Sequence, residues 1–345
     1  MPEVTINSAV SKDDLFIPLI DFSRFLSSDP TSKQQTAKAV LEGFQNAGFI
    51  YLQNHGIPPS TVATVFVHSA KFFARPQHQK DALAWYSPEA NRGYTAQGRE
   101  KVTDLEKAGD VEDLRKLIPD LKESLEIGRD DEPGLPNMWP PVEGDGEARG
   151  FQEVMLRFHG ICKKLHMQIM RAIALGMGIE ETWFDGFTDK GDNTLRLLHY
   201  PGVDKKVFKR EDGLLQVRAG EHSDYGSITL LFQDSRGGLQ VRSPKGTFVD
   251  ATPIPDTIVI NAGDLLARWS NDTIKSTKHR VVEPLPKPED EGADSYLPRY
   301  SIAYFCNPNF DRMIEAIPGT FEEKGKKYEA IRSGEYLVRR LAATY

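Results

Sequence analysis

Residues 193–305 contain six short runs rich in β-forming residues: LRLLHY (195–200), GSITLLF (226–232), LQVR (239–242), TIVIN (257–261), RVVE (280–283) and YSIAYF (300–305). Turn-forming residues separate these runs, and short strands at this spacing are typical of an antiparallel sandwich or barrel. A jelly roll, in which two sheets enclose a cavity, fits both the length and the spacing. The sequence therefore predicts a mainly β, α+β protein with a double-stranded β-helix (jelly-roll) core over 193–310.

Helical patterns flank this β-rich region on both sides. Ala37, Val40, Leu41 and Phe44 follow the i, i+3, i+4, i+7 spacing of a buried helix face. A longer apolar stripe predicts a support helix under a sheet over 151–178, and the charged segment 311–345 is predicted to be helical. Residues 1–150 are interpreted as an N-terminal region of helices and strands with a lid, because its second half is rich in Pro, Gly and charged residues.

Composition and charge narrow the class of partner. The chain has 345 residues with 43 Lys and Arg against 50 Asp and Glu, which gives a formal net charge of −7. Nucleic-acid binding needs a basic surface, which this balance does not favour. Two cysteines cannot build a disulfide framework, and we find no signal peptide and no apolar run long enough for a membrane span. We expect a cytoplasmic protein that binds a small-molecule substrate, without nucleic acid, membrane or an obligatory protein partner.

The segment GEHSDYG (220–226) contains a metal-ligand pattern. On a strand, residues i and i+2 point to the same side, so His222 and Asp224 share one face. An imidazole beside a carboxylate supplies two of the three protein ligands in the 2-His-1-carboxylate triad of non-haem Fe(II) oxygenases. His279 opens a later β-branched run and is the best candidate for the third ligand. Three protein ligands on Fe(II) leave positions open for a cosubstrate and O2.

A second polar pair follows the last histidine of this pattern. Arg299 and Ser301 also share one strand face, since they are two residues apart. A planar guanidinium binds a carboxylate through two hydrogen bonds, and a hydroxyl adds another donor. A dicarboxylate that chelates the iron at one end could be held here at the other. This arrangement predicts a 2-oxoglutarate site.

Each part of this constellation also has an ordinary structural explanation. His222 could be a hydrogen-bonded sheet residue, Asp224 a turn former before a glycine, and Arg299 a salt-bridged strand residue. A metal-dependent hydrolase with the same ligands would need a protein general base, such as the Glu of H-E-x-x-H, and that motif is not present. A non-catalytic binding module with a degenerate site is a further alternative. We find no Walker A, dinucleotide-binding or G-x-S-x-G motif.

The chain resembles the isopenicillin-N-synthase-like superfamily of Fe(II)/2-oxoglutarate dioxygenases over nearly its whole length. The similar segments are IPLIDF (17–22), GFIYLQNHGIP (48–58), RGY (92–94), KES (122–124), LRLLHYP (195–201), HSD (222–224), GGLQV (237–241) and NAGDLLARWSNDTIKSTKHRV (261–281). The resemblance implies a single catalytic unit over 1–345 that uses Fe(II), 2-oxoglutarate and O2, with ascorbate as a supporting reductant. It also implies roles for particular residues: iron ligands His222, Asp224 and His279, and 2-oxoglutarate-binding residues Arg299, Ser301 and Tyr200. The family's Asn two positions before that tyrosine is Leu198 here, so its polar contact is absent or replaced.

Within the superfamily, four segments are similar to the fungal thymine 7-hydroxylases: PEANRGY (88–94), LRLLHYP (195–201), QVRAGEHSDYGSITLLFQD (216–234) and RYSIAYFCNP (299–308). The similarity implies hydroxylation of the 5-methyl group of thymine to 5-hydroxymethyluracil, with oxidation onward to formyl and carboxyl left open, and release of succinate and CO2. It implies a pyrimidine site formed by Asn91, Arg196 and Phe305. Extra residues around 211–215 and 287–293 keep an alternative open: a dioxygenase of fungal secondary metabolism that acts on another small molecule.

Overall fold

The computed structural model of the chain describes residues 7–100, 113, 117–209, 212 and 214–344. In chain order, its strands are β1 (Asn7–Lys12), β2 (Leu15–Asp21), β3 (Phe49–Gln53), β4 (Gly93–Thr95), β5 (Glu123–Ile127), β6 (Thr194–Tyr200), β7 (Val203–Asp204), β8 (Ala219–His222), β9 (Ile228–Gln233), β10 (Leu239–Arg242), β11 (Phe248–Asp250), β12 (Thr257–Ala262), β13 (His279–Val281), β14 (Ser295–Tyr296), β15 (Arg299–Cys306), β16 (Met313–Ile314) and β17 (Ile331–Arg332). Its α-helices are α1 (Pro30–Asn46), α2 (Pro59–Phe73), α3 (Gln77–Asp81), α4 (Gly146–Gly176), α5 (Asp185–Thr188), α6 (Asp264–Trp269) and α7 (Ser333–Thr344).

Two sheets face each other at the centre of the fold. The larger has nine strands in the order β1-β2-β3-β12-β9-β15-β6-β5-β4, and the smaller has four in the order β11-β10-β13-β8. Apart from the parallel pair β2–β3, neighbouring strands in both sheets run antiparallel. This architecture confirms the prediction of a mainly β protein with a jelly-roll core and flanking helices.

The central strand β15 divides the interior into two layers. Ile302 and Tyr304 belong to the large core that includes the apolar faces of α1, α2 and α4. Ala303 and Phe305 belong to the layer between the two sheets. Because successive strand residues point to opposite sides, the same strand supports the helical layer and lines the cavity.

Helix α4 forms where the apolar stripe predicted a helix over 151–178. It begins earlier, at Gly146, because the Asp145 side chain accepts a hydrogen bond from the backbone N–H of Ala148 and caps the first turn. Its buried face includes Met155, Phe158 and Cys162. The helix therefore supports the nine-stranded sheet from the side opposite the cavity.

Two regions differ from the secondary structure that their composition suggested. The segment interpreted as a lid contributes β4 and β5 to the edge of the large sheet, although 101–112 and 114–116 of that segment lie outside the described residues. In the C-terminal segment, β16 and β17 form a small hairpin-like pair before the chain becomes helical at Ser333. In the described part of the chain, no helix combines the length and the apolarity that crossing a membrane requires.

Candidate active site

Strands β6 and β15 form one wall of a cavity of about 170 Å³ between the two sheets. They pair antiparallel in a register that sets four residues of each strand opposite one another and into the cavity: Tyr200 with Arg299, Leu198 with Ser301, Arg196 with Ala303, and Thr194 with Phe305. All eight side chains face the same way because each strand contributes every second residue. The wall therefore runs from an arginine–serine end to an arginine–phenylalanine end, with the sites predicted for 2-oxoglutarate and substrate at opposite ends.

The three predicted metal ligands meet on the opposite side of the cavity. Strands β8 and β13 pair so that His279 lies directly across from His222. Asp224 lies just beyond the end of β8, with its Oδ1 3.7 Å from Nε2 of each histidine. The three candidate ligand atoms lie within 4.8 Å of one another. The structure thus brings together residues that are up to 57 positions apart in the sequence, and this cluster could hold a metal ion.

Hydrogen bonds orient His222 and Asp224 toward the shared space. Nδ1 of His222 donates to the carbonyl oxygen of Gly220 at 2.8 Å, which leaves Nε2 for the cavity. Oδ2 of Asp224 accepts hydrogen bonds from Thr229 at 2.5 Å and Asn261 at 2.7 Å. Oδ1 of Asp224 is therefore the oxygen that faces the histidines. Such partners fix the tautomer and direction of metal ligands.

The electrostatic environment favours the ligand form of these groups. Burial, and after it the neighbouring His279, lower the pKa of His222 to about 4 against the opposing effect of Asp224. Burial would raise the pKa of Asp224, but the two imidazoles and its hydrogen-bond donors outweigh burial and lower it. At neutral pH His222 is therefore neutral and Asp224 is ionised. A donor set of two imidazole nitrogens and one carboxylate oxygen fits Fe(II) with open positions.

A buried guanidinium marks one end of the cavity. Arg299 is only 1% exposed, donates from Nε to the carbonyl oxygen of Gly237 and from Nη1 to Ser301, and lies 4.7 Å from the centre of the Tyr200 ring. No Asp or Glu of the described residues forms an ion pair with it. A buried cation of this kind, with a hydroxyl beside it, is suited to bind an incoming carboxylate.

The three residues predicted to bind a pyrimidine meet at the other end. The guanidinium carbon of Arg196 lies 5.2 Å from the centre of the Phe305 ring, so the two side chains stack. Asn91 has a left-handed backbone with φ of 47°, accepts a hydrogen bond from the Trp85 indole and donates to Thr194 at 3.4 Å. Asn91 therefore forms a turn and also lines the cavity.

Two buried ionisable residues at this end were not predicted as site residues. Glu100 and Lys122 both line the cavity and form an ion pair with each other. Glu100 also accepts a hydrogen bond from Arg196 at 3.1 Å. Lys122 belongs to the segment KES (122–124) of the family resemblance, which implied no role for it. No periodic pattern identifies Glu100, because it lies outside the strands and helices of the described chain.

Helix α7 closes one side of the cavity, with apolar contributions from Leu337, Val338 and Leu341. Its position is fixed by Arg340, which donates to Asp264 at 2.9 Å and stacks on the Tyr225 ring at 4.4 Å.

Tyr225, which follows the candidate ligand Asp224, also lines the cavity. Helix α7 is therefore connected to a residue next to the three candidate metal ligands, a contact that the sequence did not indicate.

Comparisons with known proteins agree with this geometry. Residues 17–142 match the family described as the N-terminal region of the non-haem dioxygenase in morphine synthesis. Residues 191–308 match the 2OG-Fe(II) oxygenase superfamily. The second match contains the three clustered residues and the arginine–serine pair.

Among solved structures, the chain is similar to the full-length thymine 7-hydroxylase of Neurospora crassa. The complex of that enzyme with alpha-KG and thymine is 61% identical, with a TM-score of 0.89 and coverage of 98% of this chain and 100% of that one. Its complex with alpha-KG and 5-formyluracil is 58% identical, with a TM-score of 0.87 and coverage of 98% and 99%.

The relatives found by sequence carry more varied names than these similar structures do. The 2-oxoglutarate-Fe(II) type oxidoreductase ppzD of Metarhizium rileyi is 35% identical over 94% of this chain and 90% of its own. The proline hydroxylase buaE of Petromyces alliaceus is 32% identical over 94% of this chain and 98% of its own.

Proposed function

The chain belongs to the 2OG-Fe(II) oxygenase superfamily, and from that premise we propose that it hydroxylates the 5-methyl group of thymine to 5-hydroxymethyluracil. It is a dioxygenase whose reaction uses Fe(II), 2-oxoglutarate and O2. The observation that carries the proposal is the single cavity that has the triad on one wall, and an anion anchor and a flat polar site at opposite ends of the facing wall.

The proposed roles follow from the chemistry of each side chain. His222, Asp224 and His279 would hold the iron. When bound together, Fe(II), 2-oxoglutarate and O2 supply the oxidation of a substrate C–H bond, with release of succinate and CO2. Arg299 and Ser301 would bind the distal carboxylate of 2-oxoglutarate through charge-assisted and hydroxyl hydrogen bonds, with Tyr200 beside them.

The opposite end of the cavity suits a pyrimidine ring. Phe305 offers a ring face for stacking, and Arg196 offers N–H donors for a ring carbonyl. Asn91 carries both a donor and an acceptor. The apolar side chains of helix α7 cover the site, so they would exclude water from the reacting methyl group.

The similarity to the Neurospora crassa thymine 7-hydroxylase supports this substrate, because the identity near 60% extends over 98% of the chain and the similar structures include complexes with thymine and 5-formyluracil. The acidic net charge of −7 favours a free base over a base within DNA, since base-flipping enzymes need phosphate contacts. A second candidate is oxidation of another small molecule. The diversity of relatives at 31–35% identity, including a proline hydroxylase, favours it.

The test is a product assay with purified protein, Fe(II), 2-oxoglutarate and ascorbate under air. Thymine, uracil, thymidine and a panel of aromatic metabolites and amino acids are offered separately, and succinate and oxidised products are quantified by mass spectrometry. We expect thymine to give 5-hydroxymethyluracil with stoichiometric succinate, and Asp224→Ala to give neither. Turnover of another compound without turnover of thymine would replace thymine with the second candidate, and full turnover by the Asp224→Ala protein would remove the triad assignment.

A further inference from the structure

A buried carboxylate lies in the wall of the cavity where the pyrimidine is proposed to bind. Glu100 is 4% exposed and lines the cavity together with Arg196 and Lys122. Arg196 Nη1 lies 3.1 Å from Oε1 of Glu100, and Lys122 forms an ion pair with Oε2. Glu100 therefore lies within reach of a ligand that occupies the cavity.

The two cations keep Glu100 ionised. Burial would raise the pKa of Glu100, but the charges of Arg196 and Lys122 outweigh burial and lower the pKa to about 2. At neutral pH the side chain therefore offers only hydrogen-bond acceptors. A carboxylate has about four lone-pair positions, and the two cations each occupy a different oxygen. Each oxygen thus has the capacity for one further hydrogen bond, and the residue lines the cavity.

We propose that Glu100 is a specificity-determining residue that accepts a hydrogen bond from a ring N–H of the substrate, beside a ring carbonyl that faces Arg196. The inference rests on the proposed function and deepens it, because it names the substrate class as cyclic amides and imides with an unsubstituted N–H. An acceptor and a donor side by side match the adjacent N–H and C=O of such a ring. Lys122 has the supporting role of fixing the carboxylate.

This arrangement should reject rings that lack the N–H. An N-methyl group at that position would leave the buried carboxylate without its donor and would also collide with it. Sites built to hydrogen-bond a substrate N–H or O–H discriminate strongly against analogues without it, because the buried polar group is then left unpaired. We expect kcat/KM for one of the two N-methylthymines to be at least about 100-fold below that for thymine.

The first test needs only the wild-type protein. Its kcat/KM is measured with thymine, 1-methylthymine and 3-methylthymine, with succinate and product followed together. Strong rejection of one isomer supports the proposal, and similar rates for all three overturn it. If thymine is oxidised at all, the proposed function stands in either case. If none of the three is oxidised and thymine does not bind, the proposed function fails and this inference fails with it.

The second test uses a matched pair of variants. Glu126 contacts the other side of the same guanidinium, at 2.7 Å from Nε of Arg196, but it does not line the cavity. We expect Glu100→Gln to reduce kcat/KM for thymine about 100-fold. The kcat/KM for the rejected N-methylthymine should change little, so the preference for thymine over that isomer is lost. Glu126→Gln should change kcat/KM for both substrates by the same factor. Affinity for 2-oxoglutarate, bound at the far end, should be retained in both variants. An unchanged preference in Glu100→Gln would mean that Glu100 only supports Arg196, and the proposal would be wrong.

Discussion

Removal of the Asn261 side chain should weaken metal binding without touching a metal ligand. Asn261 lies on β12 in the large sheet and is 3% exposed. Its amide donates to Oδ2 of Asp224 at 2.7 Å, and Thr229 donates to the same oxygen at 2.5 Å. These two donors hold the carboxylate so that Oδ1 faces the histidines. In Asn261→Ala, one of the two is lost and the carboxylate can rotate away from the shared space.

The size of the effect follows from the number of hydrogen bonds lost. A hydrogen bond to a charged group contributes about 1.5–3 kcal/mol. Loss of a partner that orients a metal ligand typically reduces metal affinity about 10- to 100-fold, which is about 1.4–2.7 kcal/mol. Because Thr229 remains, we expect the lower half of this range, about 10- to 30-fold. The double variant Asn261→Ala/Thr229→Val, which removes both donors, should reach the upper limit.

The assay is anaerobic titration with Mn(II), a redox-stable substitute for Fe(II), in which free ion is measured by electron paramagnetic resonance. Asn309→Ala is the matched control, because Asn309 is equally buried but bonds to Asp189 and Gly186, away from the triad. The control should lose stability and retain metal affinity. A dissociation constant for Asn261→Ala within twofold of the wild-type value would refute the orienting role and weaken the assignment of Asp224 as a ligand.

Three further predictions test other parts of the structure. Arg299→Leu should weaken 2-oxoglutarate binding by about 2–4 kcal/mol, since it removes one partner of a buried charge pair; unchanged affinity in anaerobic calorimetry would dismiss it as the anchor. Arg340→Ala, which releases helix α7, should raise KM for the organic substrate about 3- to 10-fold and leave 2-oxoglutarate affinity unchanged in steady-state assays. Burial lowers the pKa of His159 to about 4 and of His166 to about 3. The unfolded chain therefore binds more protons below pH 6.5, and stability should fall as the pH falls, by roughly 1 kcal/mol per histidine at pH 5.5. Urea unfolding at pH 7.5 and 5.5 should show a smaller loss in His166→Gln, and an equal loss would contradict the neutral buried state.

Pairs of site residues two positions apart could be predicted from the sequence, because side chains along a strand return to the same face every two residues. Arg299 and Ser301 were expected on one face of a strand, and both line the cavity. His222 and Asp224 were assigned to one side in the same way; Asp224 lies just beyond the end of β8, but the candidate ligand atoms of the two residues do meet. His279 required the additional expectation that a jelly roll returns the chain to the same cavity. The cross-strand pairing of His279 with His222 agrees with that expectation.

The parts of the cavity wall that lie outside these strands could not be predicted in this way. Glu100 is not in a strand or helix of the described residues, and its partner Arg196 is 96 positions away in the sequence. Helix α7 has a clear amphipathic pattern, yet that pattern alone does not say which surface its apolar face covers. Both positions depend on long-range packing, which local periodicity does not encode.

Strand β5 shows that some of this long-range information is present as charge spacing. ESLEI (123–127) carries two glutamates three residues apart, and LRLLHY (195–200) carries Arg196 and His199 with the same spacing. In the sheet, Glu126 lies opposite Arg196 and Glu123 opposite His199, with contacts of 2.7 and 2.6 Å. Residues three apart point to opposite faces, so one pair forms on each side of the sheet. A shift of one residue would move every one of these side chains to the wrong face and leave buried charges unpaired, at a cost of several kcal/mol each. The spacing of the four ionisable side chains therefore specifies both the neighbour of β6 and the register in which Arg196 is held at the cavity.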